Sequence, residues 1–261
     1  MSVPALSMAF MALAMVFAFA APIVLLIYYR KKGADVLPFF VGCAVFIVFA
    51  LILEALVHTV VLKGSAGATI QSNTLLYALY GGLMAGLFEE TGRFVAFKTV
   101  LKKRLGNDRN ALMYGAGHGG VEAILLLGFA YISNLVMSLL INAGMADKLT
   151  AGLTGDALAQ VESTFTTLTV TAPWTYLLAI VERAVAVTTH ICLSVLVWFA
   201  AKKPGKFWLF PLAILLHAAL DGLTVILAAR LPLWGVEGCL VVMAALLALL
   251  ARRVWKKNAE I

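Results

Sequence analysis

The sequence predicts an all-α integral membrane protein, a polytopic bundle of about seven transmembrane helices. Three observations carry that prediction. Of the 261 residues, 63% are hydrophobic and only 13% charged, and mean hydropathy is +0.99, against roughly 45–50% apolar and about 25% charged residues in an ordinary soluble domain. Apolar runs of about 20 residues, enough to cross a hydrocarbon layer of ~30 Å, recur along the whole chain. The basic residues gather in alternate gaps between those runs.

The first run, about residues 5–28, is longer than the core of a signal peptide and is followed by charge, so it stays in place as an anchor. Further runs lie near 36–62, 75–100, 111–142, 173–200, 207–229 and 232–251. Basic clusters follow at Arg30, Lys31 and Lys32, at Lys102, Lys103, Arg104 and Arg109, at Lys202, Lys203 and Lys206, and at Arg252, Arg253, Lys256 and Lys257. The positive-inside rule then puts the N-terminus outside and the C-terminus in the cytoplasm, in a cell membrane. Trp174, Trp198, Trp208, Trp234 and Trp255 fall near the span ends, where amphipathic rings prefer the headgroup level. The segment 143–171, with Asp147, Lys148, Asp156 and Glu162 among Thr, Gly and Ala, is expected to be an external, partly helical loop.

A net charge of +7 is explained by this topology. No soluble basic domain is present to bind nucleic acid. Cys43, Cys192 and Cys239 sit singly in apolar segments, so they support neither a disulfide framework nor a cysteine metal site. No composition shift divides the chain, which reads as one transmembrane domain over 1–261.

Charges inside the spans point to function, because each costs about 2.5–3.5 kcal/mol at a helix centre on insertion scales. The third span, LYGGLMAGLFEETGRFVAF, carries Glu89, Glu90 and Arg93. Glu89 and Arg93 are four apart and predict a salt bridge, which leaves Glu90 unexplained. The fourth opens MYGAGHGGVEAILL, placing Tyr114, His118 and Glu122 on one face among glycines that admit a close neighbour. The sixth reads LLHAALDGLTV and pairs His217 with Asp221.

At 1.5 Å per residue, Glu89, His118 and His217 lie roughly 10–18 Å from the cytoplasmic end of their spans. His190 is level with them and is expected to line the same cavity. Glu54 and His58, with Glu182 and Arg183, fall roughly 27 Å or more from that end, and Glu54 with Arg183 reads as a structural ion pair.

The pairing Glu89-Glu90 with Arg93, the element Tyr114 to His118 and the element His217 to Asp221 resemble the three motifs of the CAAX-protease and bacteriocin-processing superfamily of membrane proteases, and most of all its YhfC-like branch. The resemblance covers roughly residues 75–225. Only Thr91 and Gly92 separate Glu90 from Arg93, where the common motif has three residues, and Asp221 stands where Asn is frequent. The resemblance implies a helical bundle around a water-filled site.

It also implies an intramembrane endopeptidase acting on a membrane-associated protein or peptide. Glu89 or Glu90 would be general base, with Arg93 keeping the other ionised; His118 would hold the water, and His217 with Asp221 would stabilise the oxyanion. This reading takes no cofactor. Its alternative is a zinc enzyme with His118, His217, Glu89 and Glu122 as ligands. A proton-coupled transporter or an inactive scaffold is the alternative of another class.

Overall fold

The computed structural model describes residues 2–260, and every regular element among them is helical. In chain order these are α1 (Ala5–Lys31), α2 (Leu37–Lys63), α3 (Gly67–Ser72), α4 (Thr74–Lys98), α5 (Arg109–Asn142), α6 (Ala146–Thr150), α7 (Gly155–Val170), α8 (Thr175–Lys202), α9 (Leu209–Ala228) and α10 (Leu233–Asn258). Six of them, α1, α2, α5, α8, α9 and α10, are long and apolar enough to cross a membrane. The protein is therefore a multi-pass membrane protein.

Helix α4 occupies the place of the expected third span. It has 25 residues, about 37 Å at 1.5 Å per residue, but its apolar run is broken by Glu89, Glu90 and Arg93. Asn73 caps its first turn, the side-chain oxygen accepting from the backbone N–H of Leu75 and Leu76 at 3.0 and 3.1 Å. The segment after α5, expected to be a partly helical loop, folds into α6 and α7. Two helices contain stretches of wider π-type winding, Phe46–Glu54 in α2 and Ile124–Gly128 in α5.

Chain contacts divide the molecule into two compact units. One comprises Met1–Ala21 and Ala123–Arg183. Its core includes Met11, Ile141, Phe165, Leu168 and Tyr176. Asn142 closes it by accepting from Val3 N at 2.7 Å and donating to the Val3 carbonyl at 3.0 Å.

The other unit, Pro22–Glu122 and Ala184–Ile261, contains all the residues singled out as a candidate site. A close backbone seam joins α4 to α9. A Cβ added at Gly82 would lie 2.3 Å from the Ala218 carbonyl oxygen, and one at Gly86 would lie 2.5 Å from that of Ile214. Small residues let these backbones touch, as in other membrane helix pairs. Gly82→Val should therefore cost about 1–3 kcal/mol of stability. Gly81→Ala, with open space around it, should be neutral or slightly stabilising. Thermal unfolding in detergent measures both, and equal effects would refute the seam.

The first part of α5 docks on α8 in the same manner, a Cβ at Gly115 falling 2.5 Å from the Ile191 Cα. Trp198 departs from the expected aromatic belt. It is fully buried, its ring packs against Phe97 at 5.0 Å, and its Nε1 donates to Asp108 Oδ1 at 2.8 Å. An indole with an internal acceptor gains nothing from the headgroup layer.

Candidate active site

Four helices of the larger unit, α4, α5, α8 and α9, each aim ionisable side chains at one point. On α4, Glu89, Glu90 and Arg93 are 7%, 0% and 0% exposed. Arg93 Nη1 donates to both oxygens of Glu90, at 2.6 and 2.5 Å. This corrects the expected Glu89–Arg93 pair. Residues 89 and 90 diverge by about 100° around an α-helix, and Glu89 is turned away toward α5, where His118 Nε2 meets its Oε2 at 2.7 Å.

His118 is completely buried, and its Nδ1 has no hydrogen-bond partner. Tyr114, one turn earlier, is buried beneath the Arg93 guanidinium at 5.9 Å. Glu122, one turn later, lies 2.6 Å from His190 Nε2.

His190 stands at the centre of the group rather than on its lining. Its Nδ1 lies 3.1 Å from Arg93 Nη2 and 3.8 Å from Glu89 Oε2, and its ring is 4.7 Å from that of His118 and 5.4 Å from that of His217. A guanidinium can only donate, so Arg93 donates to the Nδ1 lone pair and the ring proton sits on Nε2, the nitrogen that faces Glu122. On α9, His217 Nδ1 meets Glu90 Oε1 at 2.8 Å and its Nε2 faces Asp221 Oδ2 at 3.5 Å. Asp221 is the most exposed member, with 47% of its side chain uncovered.

The expected convergence of His118 and His217 on the two glutamates is thus met by direct hydrogen bonds. The expected zinc set is not the one that assembles. The side chains that bring ligand atoms together are Glu89, His118 and His190, within 4.8 Å of one another, while His217 is held by Glu90 and Asp221. Nitrogen and oxygen ligands at ~2.0–2.1 Å from a tetrahedral zinc lie ~3.3 Å apart, and the Glu89 separations of 2.7 and 3.8 Å bracket that spacing. The donor chemistry fits as well. Glu122 beside His190 Nε2 matches the outer carboxylate contact that orients a ligating imidazole, and an ion would take the Nδ1 lone pair that Arg93 now occupies. Glu89, the carboxylate of this set, lies against the imidazoles of His118 and His190, a donor set suited to a divalent cation.

Glu54 departs from its expected partner. It accepts from His58 on its own helix at 3.0 Å, and His58 Nδ1 meets the Tyr80 hydroxyl at 2.9 Å, while Arg183 pairs with Glu182 at 2.5 Å. Glu54 also lies within Coulombic range of Glu89, His217 and Asp221. The depth arithmetic assumed uniform α-helix, and the π-wound Phe46–Glu54 ends at this residue.

Residues 17–242 match the family described as YhfC intramembrane metalloprotease. The chain belongs to that family. It is also 37% identical over 211 residues, 80% of each chain, to the uncharacterized membrane protein YhfC of Bacillus subtilis (strain 168). No solved structure shows a significant match. Every residue of the cluster lies inside the stretch matched to the YhfC family. The family's description supports the metal alternative over the glutamate-only mechanism, and over the expectation of no cofactor, that the sequence alone suggested.

Proposed function

We propose that the protein is a metal-dependent intramembrane endopeptidase that hydrolyses a peptide bond of a membrane-associated protein or peptide. Glu89, His118 and His190 would hold the ion. The buried approach of their three ligand atoms carries this reading. A divalent ion such as zinc supplies Lewis acidity there, for activating water and polarising a carbonyl.

The remaining residues do the proton work. Arg93 anchors Glu90, and Glu90 fixes His217 through Nδ1. Asp221, the most exposed of the group, takes the proton of the attacking water and hands it to His217 Nε2, which it faces at 3.5 Å. His217 Nε2 stabilises the oxyanion and passes that proton to the leaving amine as the C–N bond breaks. Burial of Glu90, Arg93 and His217 strengthens the contacts among them.

A glutamate mechanism keeps one specific observation, the 2.7 Å bond between Glu89 and His118, which would orient Glu89 as general base without any ion. Chelation separates the two. Treating membranes with a strong zinc chelator should abolish a cleavage product that proteomics of new termini assigns to the wild type and not to Glu89→Ala, and zinc should restore it. Activity unchanged by chelation would return the glutamate mechanism to first place.

The basic clusters support an N-terminus outside and a C-terminus in the cytoplasm. A reporter fused after Lys206 should then be cytoplasmic, and one inserted near Asp156 external. The reverse at either site would overturn this topology.

A further inference from the structure

At the basic end of the larger unit, away from the glutamate and histidine cluster, a cavity of about 400 Å³ is lined by Tyr28, Tyr29, Lys32, Arg109 and Trp255, together with Asp108 and Glu260. We infer that this cavity is a binding site for the phosphodiester headgroup of an anionic phospholipid.

The charges are arranged for an anion. The two carboxylates are already engaged. Asp108 accepts from Lys202 Nζ at 2.8 Å, from Trp198 Nε1 and from the backbone N–H of Glu260 at 2.9 Å. Glu260 is bonded by Lys203 and Lys202, whose charges hold its carboxyl below the usual range. Lys32 and Arg109 have no carboxylate within ion-pair distance among the described residues. The Lys32 ammonium is instead placed over the Tyr28 ring at 5.8 Å.

Arg109 lies against the turn at residue 33. Gly33 holds φ at +91°, its carbonyl accepts from Asn107 Nδ2 at 2.8 Å, and a Cβ there would stand 3.4 Å from Arg109 Nη1. Two cations that line one cavity without a carboxylate partner of their own repel until an anion arrives.

Position selects a lipid over a free anion. Tyr28 and Trp255 are aromatic residues at helix ends, the level at which headgroups lie. Val24, one turn before Tyr28 on the same face of α1, is 61% exposed and continues the stripe toward the hydrocarbon, where an acyl chain would run. Paired basic side chains beside a spanning helix are a recurrent means of holding anionic headgroups.

The test uses the full chain purified in a neutral detergent. Phosphatidylglycerol should raise the unfolding midpoint by about 5 °C or more, while phosphatidylcholine and millimolar inorganic phosphate should not. The double variant K32Q/R109Q should keep the midpoint of the untreated protein and lose the phosphatidylglycerol shift, and R109K should retain part of it. K256Q/K257Q, which alters charge elsewhere on the basic end, should keep it whole. Equal shifts with both lipids, a shift surviving in K32Q/R109Q, or its loss in K256Q/K257Q would overturn the site. A full shift from inorganic phosphate would overturn the lipid assignment. Proteolytic activity does not enter the readout, so this result stands apart from the proposed function.

Discussion

His118→Ala and His190→Ala should each deplete the purified protein of zinc and lower proteolysis by at least about a hundredfold, whereas His217→Ala should keep its zinc and lose activity to a similar degree. The first two remove imidazoles that share a point with Glu89 within 4.8 Å. The third removes the group between Glu90 and Asp221. Elemental analysis beside a cleavage assay reads the split directly. Zinc lost from His217→Ala and kept by His190→Ala would restore the ligand set read from the sequence and remove the one proposed here.

The largest effect on stability should come from Arg93→Leu. Arg93 and Glu90 are both fully buried and share two hydrogen bonds, and removing one partner of such a pair leaves an uncompensated charge that costs about 3–5 kcal/mol. The double variant Arg93→Leu with Glu90→Gln should recover a good part of that loss. It should not recover activity, because His217 loses its anchor. Unfolding in detergent measures the first effect and the cleavage assay the second. An Arg93→Leu protein as stable as the wild type would mean that Glu90 has another counter-charge.

Much of the site was legible because each member is an ionisable side chain in an apolar span, where it stands out by its cost. Glu89, Glu90, His118, His217 and Asp221 were found in this way, and the glycines around His118 announced the close approach of another helix. What stayed hidden was partner choice. A helix allows Arg93 to bond at i−3 or i−4, and which glutamate it takes depends on His118, which draws Glu89 aside.

His190 was placed at the right depth but given a minor part. Its decisive partners, Glu122 and Arg93, sit on other helices, and nothing within a turn of it on α8 marks it. Glu54 was assigned to the wrong partner for a related reason, since residue counting locates depth only while the winding is uniform. Trp198 had the residue type of an interfacial anchor, and only the position of Asp108 shows it to be core.

The glycine seam between α4 and α9 bears on how the site works. One helix carries Glu89, Glu90 and Arg93, the other His217 and Asp221, and their backbones are in contact with no side-chain layer between them to yield. Two rods joined so closely travel together. The distance from Glu90 to His217 is thus set when the chain folds rather than when a substrate arrives, and the cost of ordering these groups falls on folding instead of on each turnover. Any opening that admits a polypeptide has to come from walls that carry none of these five residues.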